Sequence, residues 1–333
     1  MRITVKCPTR VDLSGGTLDL WPLYALVPKS RTINAAISIF TQTELNIRLD
    51  TKIKVQITNT NFKKEYLNLG ALKKDKNKNL AILKPVIDYF NPSYGFDITT
   101  KSESPVGGGL GGSSSLMVTL LTAFLEAENK KMKPQELVHL AHNLEAQILK
   151  TPTGTQDYVP PIMGGICCIE HNMDGLAFER LSIEEEEFNK HFLLVYTGRP
   201  HHSGLNNWEV YKKAIDGNKK VLGALASLKA TTDMLYEQIR TRNLNFKKIF
   251  NLEYKSRVNL AKSFSSPEIK RLEKVCLKNG ASAVKILGAG GGGCVIVWCD
   301  PLKRERLKEL CLKEKFQILP ATLSSQGLHV TKV

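Results

Sequence analysis

The stretch "PVGGGLGGSSSL", Pro105–Leu116, holds five glycines and three serines. Glycine loses more backbone entropy on folding than any other residue. A folded chain concentrates that cost either in a flexible linker or where something must approach its backbone closely. A linker should lie between domains and be polar on both sides. Here an extended apolar pattern, "YGFDITTKSE" (94–103), comes before the stretch. A strongly apolar helical pattern, "SLMVTLLTAFLEAE" (115–128), follows without a gap and puts Leu116, Leu120 and Phe124 on one face. The glycines therefore lead into a helix N-terminus, whose free N–H groups and positive dipole end favour an anion. Without Cβ atoms, phosphate oxygens can reach backbone amides, and the serine hydroxyls can bind phosphate or Mg²⁺.

Two common phosphate loops fit poorly. A Walker A loop requires Gly-Lys followed by Ser or Thr, and the dipeptide Gly-Lys occurs nowhere in the chain. Gly107, Gly109 and Gly112 satisfy G-x-G-x-x-G, but so do Gly288, Gly290 and Gly293. A dinucleotide fold also needs an acidic residue at the end of a following strand, about 20 residues on. Two consecutive helical patterns, the second "PQELVHLAHNLEAQIL" (134–149), occupy that region instead.

The remaining chain reads as strands first, then helices, then mixed units, which argues α+β. Residues 2–6 and 32–59 read as strands, with "TQTELNIRLD" and "TKIKVQITNT" forming a hairpin about the Asp50–Lys52 turn. "NLAILKPVIDYF" (79–90) reads as a helix, and 165–171 with 176–181 as a strand pair. The acidic run "IEEEEFNKH" (183–191) marks a boundary before the buried strand "FLLVYTG" (192–198). Helical segments follow over 207–240, 245–252 and 267–278, and the strand "GLHVTKV" closes the chain.

Composition narrows the setting. The 333 residues are 42% hydrophobic, enough for a real core in one large or two ordinary domains. No apolar run is long enough to span a bilayer, and "MRITVKCPTR" lacks the apolar core of a signal peptide. Seven cysteines without a C-x-x-C pair favour reduced thiols and a cytoplasmic location. The net charge of +15 raises nucleic acid as a partner. The lysines are spread out with few interleaved aromatics, so the reading is a basic surface that favours anionic small substrates, with no nucleic acid or membrane partner. A homodimer is compatible with it.

Three segments taken together resemble the GHMP kinases, the superfamily of galactokinase, homoserine kinase, mevalonate kinase and phosphomevalonate kinase. "PVGGGLGGSSSL" is similar to their phosphate loop. "PTRVDLSGGTLDLW" (Pro8–Trp21) resembles the N-terminal motif, and "KILGAGGGGCVIVW" (Lys285–Trp298) the C-terminal glycine-rich motif. The resemblance implies a two-domain α+β fold. A ribosomal-protein-S5-like α/β domain would span 1–187 and a ferredoxin-like α+β domain 188–333. It also implies an ATP- and Mg²⁺-dependent kinase acting on a hydroxyl group.

Site residues follow from the same resemblance. Pro105, Gly107, Gly108, Gly109, Leu110, Gly111, Gly112, Ser113, Ser114 and Ser115 would hold the nucleotide. Ser113 aligns with the family's Mg²⁺ ligand, Ser114 stays a candidate, and Glu145 would complete the metal site. Arg10 and Asp157 would act on the nucleophile. Asp19, Gly15 and Gly16 would meet the substrate, together with Thr197, Gly198 and Arg199 of "YTGRPHHSG" and Gly290 and Gly291. His201 and His202 stay open between substrate contacts and a solvated loop.

Galactokinases carry Gly-Glu-His before Thr-Asp, whereas this chain has Gly15-Gly16-Thr17-Leu18-Asp19. Together with "NLEAQILKTPTGTQDYVPPIMGG" (Asn143–Gly165), that looks more like the heptose 7-phosphate 1-kinase branch. The expected reaction is phosphorylation of the anomeric hydroxyl of a heptose 7-phosphate. The alternatives are a fucose, arabinose, galactose or mevalonate kinase, or a non-catalytic nucleotide-binding regulator.

Overall fold

The computed structural model describes residues 1–151, 153–200 and 203–333, with the side chains of 203–206 and Lys262 left aside. The first half supplies β1 (Arg2–Ser14), α1 (Leu23–Leu26), β2 (Ser30–Ile47), β3 (Ile53–Ile57) and β4 (Phe62–Tyr66). It continues with α2 (Leu69–Lys74), α3 (Leu83–Phe90), β5 (Phe96–Ser102), α4 (Gly112–Ala127), α5 (Pro134–Leu149), α6 (Val159–Met163), β6 (Ile166–Asn172) and β7 (Gly175–Leu181). The second half runs α7 (Glu185–His191), β8 (Phe192–Tyr196), α8 (Ser203–Ile215), α9 (Lys219–Arg240), α10 (Phe246–Leu260) and α11 (Pro267–Lys278). It ends with β9 (Ala281–Ile286), β10 (Cys294–Cys299), α12 (Arg304–Lys313), β11 (Gln317–Leu319) and β12 (His329–Lys332).

Two sheets result. The larger has eight strands in the order β12-β1-β2-β5-β3-β4, with β6 and β7 continuing from β2. The 18-residue β2 makes this possible by pairing with β5 through 41–47 and with β6 through 30–35. The smaller is a four-stranded antiparallel sheet, β11-β8-β10-β9. The domain division expected at 187/188 falls inside α7, and the second sheet starts at Phe192. The last strand, β12, crosses back and pairs with β1.

The hairpin expected between 41–50 and 51–60 does not form. β5 runs between the two strands, antiparallel to β2 and parallel to β3. The connection loops around Gly95, whose N–H donates to Asp50 O while its carbonyl accepts from Arg48 N–H. A Cβ at Gly95 would strike the carbonyls of Asp50 and Lys52, so only glycine lets β5 enter there. The helix expected over 207–240 is also interrupted. Gly217 has φ +74°, and Asn218 caps α9 by accepting from Val221 N–H.

Three buried clusters position the site. One packs Val118, Leu121 and Phe124 of α4 against Val5, Leu45 and Ile98 of the large sheet. A second spans both sheets, joining Val11, Leu13 and Ile33 to Leu194, Ile296 and Phe250. A third sets Leu18, Leu20 and Leu23 against Val210, Ala214 and Leu228 of α8 and α9. The N-terminal motif is therefore held between the two halves of the chain.

Candidate active site

The glycine stretch forms the turn from β5 into α4. Gly107, Gly109 and Gly111 have φ of +65°, +74° and +66°, a region that glycine enters at little steric cost. A Cβ at Gly112 would press on Ser104, and one at Gly108 on Pro105. The loop is backed from below. Arg10 N–H donates to Leu110 O at 3.0 Å, and Cys294 N–H donates to Gly108 O at 2.7 Å. The C-terminal glycine motif thus packs directly on the phosphate-loop backbone.

A cleft of about 700 Å³ opens over this loop. Pro105, Gly107–Gly112, Ser113 and Ser114 line it, with Arg10, Asp19, Glu145 and Asp157 further in. Ile57, Asn59, Ile82, Leu116 and Leu149 line it as well. The sequence reading passed over Ile57, Asn59 and Ile82, since no local pattern marks residues that far from the loop.

Arg10 ties the loop to the acid. Its Nε and Nη2 donate to Asp157 Oδ1 at 2.9 and 2.6 Å, and Nη1 donates to Gly109 O at 2.5 Å. Both donors fall on one oxygen, so Oδ2 of Asp157 keeps its acceptor capacity free among the described residues. Asp157 is partly open to the cleft, while Arg10 is buried.

Glu145 comes from α5 and is buried. Its Oε2 accepts from Ser114 Oγ at 2.8 Å and from the Tyr158 hydroxyl at 2.7 Å. Burial and then the Glu145 charge push the Tyr158 phenol well up, so it stays a donor. The serine joined to Glu145 is therefore Ser114, the second of the two serines the sequence offered as a metal ligand beside Glu145. Ser113 lies exposed one residue earlier on the cleft wall. Ser115 turns away altogether: its Oγ donates to Pro8 O at 2.9 Å and meets Thr41 Oγ1 at 2.7 Å. It anchors α4 to the sheet, because the side chains of consecutive residues on a helix point in different directions.

Asp19 is held by Thr17 N–H on Oδ1 and Gln156 N–H on Oδ2, both at 3.2 Å, and by Gln156 Nε2 on Oδ1 at 3.3 Å. A Cβ at Gly154 would land on its carboxylate, so only glycine permits this contact. Burial first, and then the nearby Asp157 charge, push Asp19 up to about 7.

Several expected substrate residues lie elsewhere. Gly15 packs on Arg31 O and Thr232, and Gly16 on Asp12 and Arg257, beneath the cleft. Gly290 and Gly291 face the Phe264 backbone, leaving Gly288 and Ala289 to line the cleft. Thr197 Oγ1 donates to Gly293 O at 2.9 Å and so braces the glycine loop, with Gly198 beside it outside the cleft lining. Arg199 is exposed and pairs with Glu268 at 3.2 Å. His201 and His202 lie outside the described residues.

Four buried charges form a network that the sequence reading missed. Arg257 Nη2 reaches Asp12 Oδ2 at 2.8 Å and Glu253 Oε1 at 2.9 Å, and Lys285 Nζ reaches the same two oxygens at 3.2 and 3.1 Å. Arg257 also donates to the carbonyls of Gly288 and Gly16. Burial pushes Asp12 up, but Lys285 and Arg257 outweigh it and hold it below the usual carboxylate range. The only sequence signal was the Glu253/Arg257 spacing of four on one helix.

Known proteins share this arrangement of loops and domains. The sequence profile of the GHMP kinases N terminal domain matches residues 78–165, and that of the GHMP kinases C terminal region matches 243–317. The chain belongs to the GHMP kinase family. It is accordingly an enzyme, a kinase that phosphorylates a hydroxyl group with ATP. It is 27% identical to the D-glycero-alpha-D-manno-heptose 7-phosphate kinase of Campylobacter jejuni, over 99% of both chains. A crystal structure of a D-glycero-D-manno-heptose 1-phosphate kinase from Bacteroides thetaiotaomicron superposes with a TM-score of 0.78 at 20% identity, covering 99% of each chain. The mevalonate kinase structure from Methanococcus jannaschii gives 0.74 at 25% identity, over 96% of this chain and 98% of that one. Among the described residues of this GHMP kinase, no helix is long and apolar enough to cross a membrane.

Proposed function

We propose that this GHMP kinase transfers the γ-phosphoryl group of ATP to the anomeric hydroxyl of a heptose 7-phosphate. The carrying observation is the Arg10–Asp157 pair, set between the glycine loop and Asp19 with one carboxylate oxygen free. Full-length similarity to the Campylobacter enzyme supports the sugar. In this reading Asp157 Oδ2 accepts or orients the proton of the attacking hydroxyl, Asp19 holds a neighbouring hydroxyl, and Arg10 stabilises charge building on the transferred group. An intact acid–guanidinium pair favours an active enzyme over a nucleotide-binding regulator. The buried thiols and the absence of disulfides among the described residues accord with a cytoplasmic setting.

The glycine cradle and the Ser114–Glu145 oxygens suit a Mg·ATP complex, since Mg²⁺ commonly takes one or two carboxylates plus phosphate oxygens. The metal would neutralise phosphate charge. Ser114→Ala is expected to raise the Mg²⁺ requirement at fixed ATP by about 10-fold or more, as when a hydrogen bond to a charged group is lost. Ser113→Ala should change it less. A Mg²⁺ titration of both variants decides which hydroxyl serves, and the reverse order would return the role to Ser113.

Asp19 predicts a pH dependence. Its folded pKa of about 7 lies above the ordinary carboxylate value, so its contribution to the stability of the free enzyme is full below pH 4 and is lost as pH rises through 7. A substrate hydroxyl donating to Asp19 favours the ionised form. Sugar binding should then release a proton, so affinity should rise by up to about 10-fold for each unit that pH increases towards 7. Calorimetric titrations in buffers of different ionisation enthalpy measure that proton. Equal release by wild type and Asp19→Asn would assign the linkage to another group.

A panel of heptose 7-phosphate, heptose, galactose, fucose, arabinose and mevalonate with Mg·ATP tests the substrate. Turnover of mevalonate and of no sugar would reject the heptose assignment.

A further inference from the structure

Two acceptor atoms of the cleft have nothing to accept. Gln156 Oε1 and Asn207 Oδ1 are both shielded from solvent and lack a hydrogen-bond partner among the described residues. Both residues line the cleft that holds Arg10, Asp19 and Asp157. Unpaired buried acceptors are rare in native structures, and each calls for an explanation. Gln156 is only 8% exposed, and its amide orientation is set, because Nε2 donates to Asp19 Oδ1 at 3.3 Å. The carbonyl oxygen is left over. Asn207 is carried by α8, whose Val210 and Ala214 share a buried cluster with Leu18 and Leu20, the chain neighbours of Asp19. Cationic side chains in the cleft are scarce. Arg10 is the one cationic side chain among the described lining residues, and it is already committed to Asp157 and Gly109.

We infer that Gln156 and Asn207 determine acceptor specificity, by forming with Asp19 a set of acceptor atoms that selects a polyol through its hydroxyl donors. The inference rests on the kinase reading above and names the chemistry of the acceptor half of that site. A sugar ring offers several hydroxyls, and each can satisfy one of these oxygens. An acceptor that places a carboxylate here would bring negative charge against Asp19 and two carbonyl dipoles without gaining a donor. A site built to bond a hydroxyl also rejects the analogue that lacks it, because its own buried acceptor is then left unpaired.

The test compares wild type, Asn207→Leu, Gln156→Met and Asn207→Asp on whichever sugar of the panel the wild type phosphorylates, on its monodeoxy analogues, and on mevalonate. Asn207→Leu should raise KM for the parent sugar about 10- to 100-fold, the range for a lost hydrogen bond to a buried acceptor. Its affinity for a non-hydrolysable ATP analogue should stay within about twofold of wild type. One monodeoxy analogue should be penalised by wild type and no longer by Asn207→Leu, because the bond is then already gone. Asn207→Asp keeps an acceptor and should restore that discrimination, which a merely structural role would not predict. Gln156→Met should lose discrimination at a different hydroxyl. Unchanged KM in Asn207→Leu, or an equal deoxy penalty in wild type and variant, overturns the inference even when the heptose is the substrate. Turnover of mevalonate alone overturns it too. Turnover of another sugar with the expected variant pattern rejects only the heptose assignment.

Discussion

Asp157→Asn is expected to lower kcat by about 10²–10⁴-fold, the usual cost of losing a positioned proton acceptor. The substitution preserves shape. An asparagine Oδ1 can still accept from Arg10 Nε and Nη2, which reach Asp157 Oδ1 at 2.9 and 2.6 Å. What disappears is the charge, together with the free acceptor at the second oxygen. Nucleotide affinity should survive, because the contacts expected for Mg·ATP come from the glycine loop and from Ser114 with Glu145. Single-turnover phosphoryl transfer beside an ATP-analogue titration separates the two effects. A variant that keeps more than about a tenth of wild-type kcat would sit outside that range and leave Asp157 a structural role. Loss of ATP-analogue binding along with turnover would make Asp157 a metal ligand instead.

Arg257→Ala is expected to cost about 3–5 kcal/mol of unfolding free energy, because it strands buried charge. Arg257 is 1% exposed, as is Asp12, and Glu253 is fully buried. With the guanidinium gone, Lys285 alone must balance two carboxylates, and the carbonyls of Gly288 and Gly16 lose their donor. By contrast, removing Arg48 from its solvent-accessible pairs with Asp50 and Asp97 should cost far less, because water already screens those charges. Denaturant unfolding of the two variants in parallel makes the comparison. A loss for Arg257→Ala as small as that for the Arg48 variant would show that the network contributes nothing beyond a surface pair. Since Gly288 lines the cleft, the surviving folded fraction of Arg257→Ala should also lose activity.

The sequence by itself determined whatever depends on neighbours along the chain. The loop Gly107–Gly112 was legible because its glycines answer a local demand, positive φ and amides bared before a helix. The helices α4 and α5 were legible for the same reason, through periodicity and a proline at the start of α5. Three ordered motifs spanning Pro8 to Trp298 then carried the family and the two-part α+β architecture.

Tertiary structure alone decided the pairings between distant residues. Alternation correctly marked the strands on either side of Asp50, but alternation does not name a partner, and β5 came in from some 50 positions downstream to separate them. The three serines look equivalent in sequence. Helix rotation sent Ser113 to solvent, Ser114 to Glu145 and Ser115 into the sheet. Nothing in the sequence near Arg199 announces its ion pair with Glu268, 69 positions away. The burial of Asp12, Glu253, Arg257 and Lys285 was not legible, since nothing in their local sequence tells a solvated ion from a buried one. Their burial depends on two halves of the chain, more than 240 residues apart, meeting beneath the cleft. The free energy of such a contact depends on dielectric and geometry, which exist only once the chain has folded.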